Sequence, residues 1–102
     1  MSRRPSHDLT AIQAAMRERR YIIMRGARDG AAELRLDESD VQACIQALDS
    51  GDFYKTMESE KRPGLWQDVY RPRYAGFALY VKLQLDARSA AVVISFKRDQ
   101  SR

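Results

Sequence analysis

Between residues 76 and 85 the chain alternates: Phe77, Leu79, Val81, Leu83 and Leu85 take the odd positions, and Ala78, Tyr80, Lys82 and Gln84 the even ones. A period of two sustained over such a run marks a strand with one apolar and one wet face. The rest of the chain must then supply a cover for the apolar side. After a turn at 86–89 a second run repeats the pattern, assigning Val92, Ile94 and Phe96 to one side and Ala91, Val93, Ser95 and Lys97 to the other. Residues 66–74 alternate less cleanly. Gln67, Val69, Arg71 and Arg73 share a side there, and Pro72, which has no N–H to give, predicts an edge, bulged or interrupted strand.

The first half reads differently. Ser6 or Asp8 caps a helix running to about Arg20, with Leu9, Ile12 and Met16 in one stripe. Residues 21–24 form a short apolar strand, and 26–33 a short helix with Ala27, Ala31 and Leu34 turned inward. Asp37 and Asp40 make a capping box with Asp in place of the usual Glu, opening a helix that buries Val41, Cys44, Ile45 and Leu48 and ends at Gly51. Asp52 is expected to cap one further turn carrying Phe53, Tyr54 and Lys55, and 58–65, with Pro63-Gly64, to be a loop. The expected fold is α+β: an antiparallel meander in the C-terminal half packed against N-terminal helices, one domain over 1–102.

Several chemistries are excluded by counting. His7 is the only histidine and Cys44 the only cysteine, so a two-histidine acid–base pair, an internal disulfide and a cysteine zinc cluster are impossible. No apolar run reaches the roughly 20 residues of a membrane span, and the basic start has no apolar segment behind it, so a cytoplasmic protein is expected. Lys and Arg total 18 against 14 Asp and Glu, a net charge of +4. The sign is uneven: residues 30–60 hold two basic and eight acidic groups, residues 61–102 nine and three. A basic C-terminal part beside an acidic middle suits a surface that faces a polyanion.

The alternation leaves Gln67, Arg71, Arg73, Tyr80, Lys82, Ser95 and Lys97 on the uncovered face. A tight turn at Ala75-Gly76 pairs Tyr74 with Phe77 and so Arg71 with Tyr80. A four-residue turn at 86–89 pairs Leu85 with Ala90 and so Tyr80 with Ser95. A phenol ringed by cations suits a phosphodiester. Cleaving RNA on such a face needs a base for the 2′-hydroxyl, positive charge on the phosphorane and an acid for the leaving oxygen. Metal-assisted hydrolysis wants clustered carboxylates, and Asp68, Asp86 and Asp99 are far apart in sequence, which favours a metal-free site with no cofactor. Because free Tyr and Lys titrate near 10, one of them must be shifted downward to act as the base.

The stretch Asp52-Phe-Tyr-Lys-Thr-Met57, then Trp66-Gln-Asp-Val-Tyr-Arg-Pro-Arg73, then Ser95-Phe-Lys97 resembles the MqsR family of type II toxin–antitoxin toxins, small mRNA-cleaving ribonucleases related in fold to RelE. The similarity runs from about residue 44 to 98 and is weaker before. It implies a metal-independent endoribonuclease acting on single-stranded mRNA at GCU-like sites and inhibiting translation. The family's active-site residues fall here on Lys55, Gln67, Tyr80 and Lys97, three of which the alternation had already exposed. Lys55 and Lys97 would hold the scissile phosphate, Tyr80 exchange a proton and Gln67 orient phosphate or base. Arg71, Arg73 and Lys82 would bind flanking phosphates, and Tyr54 stack on a base; Trp66, Phe53 and Tyr70 are read as packing. In this register Gln67 pairs with Gln84, roughly 13 Å along the strand from the level of Tyr80, unless a bulge near Pro72 shifts it. The resemblance also implies a cognate antitoxin combining a zinc-binding region with a helix-turn-helix domain. A non-catalytic RNA-binding module and a ribosome-dependent nuclease are the competing expectations. Departures from the family are the acidic, proline-containing loop at 58–64 and the short tail at 99–102.

Overall fold

A computed structural model describes residues 4–100; the first three residues of the basic start and the last two of the tail lie outside the described residues. Helix α1 (Leu9–Arg17) is capped by Asp8, whose carboxylate accepts the Thr10 N–H at 3.0 Å. It stops short of Arg20 because Arg19 adopts a left-handed conformation (φ 64°) that turns the chain into strand β1 (Tyr21–Ile23). Helix α2 spans Arg25–Glu33 and buries Ala27 and Ala31. Helix α3 (Glu38–Gln46) opens on the expected reciprocal box between Asp37 and Asp40 and buries Val41, Cys44 and Ile45.

Beyond α3 the chain departs from expectation. The helix ends at Gln46 rather than Gly51, Asp49 caps a single 3-10 turn (Ser50–Asp52), and Phe53–Glu58 is a strand, β2, not a further helical turn. The reason is tertiary. Aromatic and β-branched residues suit a pleated surface, and Phe53 has a partner in Tyr70, its ring 5.7 Å away and nearly edge-on at 68°.

The remaining strands are β3 (Trp66–Tyr70), β4 (Arg73–Tyr74), β5 (Phe77–Leu85) and β6 (Ala91–Arg98). The sheet runs β1-β6-β5-β3-β2, with β4 continuing along β5. Strands β3, β5 and β6 form the expected antiparallel meander, β2 extends it beyond β3, and β1 adds a parallel edge beside β6. Pro72 interrupts rather than edges the strand: it lies between β3 and β4, where its carbonyl accepts the Leu79 N–H at 2.9 Å, and β3 is paired on both sides.

Register follows the turns. Ala75 and Gly76 both have positive φ (53° and 84°), making the tight turn that pairs Tyr74 with Phe77 and carries through to Tyr70 opposite Val81. The second hairpin corrects the sequence reading. Asp86 accepts the N–H groups of both Arg88 and Ala90 and holds a five-residue turn, so Leu85 pairs with Ala91 rather than Ala90. A bulge at Ile94 then shifts the ladder again, placing Tyr80 opposite Lys97 instead of Ser95. The longer turn reverses the phase of residues 91–93, and the bulge restores it from Ser95 onward. Ala91, Val93 and Phe96 are buried, whereas Val92 and Ile94 lie on the open face.

One core joins the layers: Ile12 and Met16 of α1, Ala27 and Ala31 of α2 and Ile45 of α3 meet Leu79, Val81, Leu83, Val93 and Phe96 of the sheet. The N-terminal segment is stapled to it by Asp68, fully buried, whose two oxygens accept the N–H groups of Ser6 and His7 at 2.8 Å each. The His7 ring bridges Trp66 and Leu85 backbone at 2.7 and 3.3 Å. Trp66, read as packing, is instead 43% exposed. Among the described residues no helix is long and apolar enough to cross a membrane.

Candidate functional site

Four strands contribute one cross-strand row: Lys55 on β2 faces Val69 on β3, Val69 faces Lys82 on β5, and Lys82 faces Ser95 on β6. Val69 is sealed between the two lysines although it is not part of the core beneath the sheet. In the adjacent row Tyr80 faces Lys97, whose Nζ lies 5.2 Å from the phenol ring centre. Arg71, the residue after β3, falls at the level of Tyr80. Its guanidinium sits 4.4 Å from the ring centre of Tyr54, which is 45% exposed at a bulge of β2, and Lys55 Nζ approaches the same ring at 5.4 Å.

The strand conformation of 53–58 is therefore what brings Lys55 and Tyr54 to the face; a helical turn there would have left them elsewhere. Lys55, Lys82, Tyr80 and Lys97 are gathered into two neighbouring rows, and none of the three lysines forms a salt bridge among the described residues. Crowding has the expected electrostatic result. Burial first, then the ammonium groups of Lys97 and Lys55, lower the pKa of Lys82, against an opposing pull from Glu60. Burial, with Tyr54 and Asp99 nearby, raises that of Tyr80. The group shifted downward is thus a lysine, and the phenol is held in its protonated, donating form.

Three further candidates lie around these two rows. Arg71 is tied through Nε to Asp99 at 2.7 Å, and Asp99 is buried, so the tail begins as an anchor of the site. Arg73 is exposed beyond Arg71, beside Ala78 at the far end of the face. Gln67 remains distant from Tyr80: the sheet's bulges fall at Tyr54 and Ile94, not near Pro72, and Gln67 Nε2 donates to Gln84 Oε1 at 3.3 Å. Neither Asp99 nor Gln84 was given a role in the site from sequence. Gln84 carried a usable signal, since it shares the even positions of β5 with Tyr80 and Lys82.

The carboxylates of the basic part are each engaged. Asp68 holds backbone N–H groups, Asp86 holds its own turn, and Asp99 holds Arg71. Among the described residues no three His, Cys, Asp or Glu side chains gather as a metal site would require. What the face offers is cationic stabilisation of an anion, one lysine of reduced proton affinity and one phenolic donor.

A family profile described as "Motility quorum-sensing regulator, toxin of MqsA" matches residues 4–98, which include every side chain of this face named above. The chain is also 32% identical, over 95 residues, to the mRNA interferase toxin MqsR of Escherichia coli (strain K12), a match covering 93% of this chain and 95% of the relative.

Proposed function

The chain belongs to the MqsR toxin family, and we propose that it is an mRNA interferase that cuts single-stranded mRNA at GCU-like sites without a metal ion, inhibiting translation from the cytoplasm as one ribonuclease domain. The observation that carries this reading is the convergence on one open sheet face of three lysines, without salt bridges among the described residues, around a protonated phenol.

The 2′-hydroxyl on the 5′ side of the cut gives its proton to Lys82 Nζ as O2′ bonds to phosphorus. Lys55 and Lys97 balance the charge that grows on the non-bridging oxygens. The bond from phosphorus to O5′ breaks as Tyr80 donates its proton to that oxygen, leaving a 2′,3′-cyclic phosphate and a 5′-hydroxyl. Solvent then returns the proton from Lys82 to Tyr80. Tyr54, backed by Arg71, stacks on a base, and Arg73 meets a flanking phosphate. Gln67, a row away from Lys82 and two from Tyr80, contacts the RNA beside the cut. The partner that silences the face is an antitoxin of the zinc-binding, helix-turn-helix type.

Purified protein on a defined RNA, with and without EDTA, tests this. Cleavage that survives EDTA and leaves a 5′-hydroxyl is expected, with Lys55→Ala and Lys97→Ala each slowing it by about 10²–10³. Loss of cleavage on chelation would end the metal-free mechanism, and a fully active Lys55→Ala would move the site elsewhere. RNA left intact except on translating ribosomes would make the enzyme ribosome-dependent.

A further inference from the structure

Next to the lysines the open face dips into a cleft of about 540 Å³, within the range of small-ligand sites. Its floor is apolar, built from Met57 of β2, from Val92, which the five-residue turn sets opposite Gln84, and from Ile94 at the β6 bulge. Lys82 forms the wall shared with the catalytic rows, and Gln67 and Gln84 line it side by side. The loop between β2 and β3 closes the opposite rim with charges of both signs, Glu60 as well as Lys61 and Arg62.

The two amides form a matched pair. Gln67 Nε2 donates to Gln84 Oε1, leaving the Gln67 carbonyl as an acceptor and the Gln84 amide nitrogen as a donor, and neither makes another hydrogen bond among the described residues. Gln84 is only 8% exposed, so its donor is presented from a fixed position. An acceptor beside a donor above an apolar floor is complementary to the hydrogen-bonding edge and flat face of a nucleobase.

We infer that this cleft is a base-recognition subsite in which the Gln67–Gln84 pair reads one nucleobase adjacent to the scissile phosphate, with Gln84 a specificity-determining residue. The inference rests on the nuclease reading for the identity of the strand as RNA. The amide pair lies one row, roughly 7 Å, from Lys55 and Lys82, which places the base within one nucleotide of the phosphate those lysines hold. Gln67 thereby serves selection of the cut site rather than proton transfer.

Two measurements test it. Cleavage-site profiles on a mixed-sequence RNA should show Gln84→Leu losing roughly ten- to a hundredfold of the preference for favoured over disfavoured sites. Gln84→Glu, which keeps the shape and exchanges donor for acceptor, should change the preferred base, and circular dichroism reports whether either variant has failed to fold. Independently of cleavage, the side-chain amide NMR signals of Gln67 and Gln84 should move with one of the four nucleoside 5′-monophosphates more than with the others, and not with inorganic phosphate. A parental protein that cuts no RNA but shows this base-dependent shift would remove the nuclease reading and leave the subsite standing. An unchanged site profile in a folded Gln84→Leu, or amide signals indifferent to the base, would overturn the subsite.

Discussion

Lys82 sits where two kinds of neighbour act on it together: apolar surroundings that penalise its charge and the ammonium groups of Lys97 and Lys55. Its proton therefore leaves below the ordinary lysine value of 10.5, whereas Tyr80 keeps its own above the ordinary 10.0. The sign for catalysis follows. A base must be unprotonated and an acid protonated, so kcat/KM is expected to rise with pH through the lowered Lys82 ionisation and to fall only as Tyr80 ionises. Lys82→Arg keeps the cation but holds its proton. A pH–rate profile of that variant should lose its rising limb and show kcat down by about 10²–10⁴, with KM little changed; an arginine enzyme with the parental profile would assign the base elsewhere. That Lys82 reaches the open face was legible in the alternation of 76–85. Its proton affinity was not, because the neighbours that set it come from β2 and β6.

At the scale of elements, α2 carries two glycines with opposite prospects. A Cβ on Gly30 would stand 2.2 Å from the Phe96 carbonyl oxygen, so the helix can lie on β6 only because that hydrogen is small. A Cβ on Gly26 meets nothing within 4 Å. Urea titration should find Gly30→Ala destabilised by about 1–3 kcal/mol despite the better helix former, and Gly26→Ala stabilised by about 0.5–1 kcal/mol. The staple at Asp68 is the second element-scale test. Asp68→Ala removes both acceptors for Ser6 and His7, and should cost about 2 kcal/mol and speed hydrogen exchange at those two amides, while Asp68→Asn, with one oxygen left, should cost less. Neither contact has a sequence signature, since each joins residues far apart in the chain. Residues 53–58 show the same limit: behind a capping Asp they read as a helical turn, and pairing with β3 made them a strand.

Over the whole molecule, charge is distributed so that the acidic middle and the basic C-terminal part occupy different stretches of one fold. RNA binding should weaken with salt, and each of Lys55→Ala and Lys97→Ala should lower the slope of log K against log salt by about 0.7, the value per phosphate contact on a single strand. Arg88→Ala, in the turn held by Asp86, should leave the slope unchanged. Equal slopes for all three would mean that the open face does not carry the phosphate backbone.

By itself the amino-acid order determined the two halves, the antiparallel meander, the tight turn at Ala75-Gly76 and the cationic character of one sheet face. These are local properties: periodicity, backbone preference and side-chain charge act within a few residues. The tertiary structure alone decided that Lys97 faces Tyr80, that Lys55 joins them, that Val92 and Ile94 floor a cleft instead of filling the core, and that Asp99 anchors Arg71. The placements on the sheet follow from one extra residue each in β2, in the 86–90 turn and in β6, because a strand's faces exchange at every step and only the pairing partner shows where the step was taken.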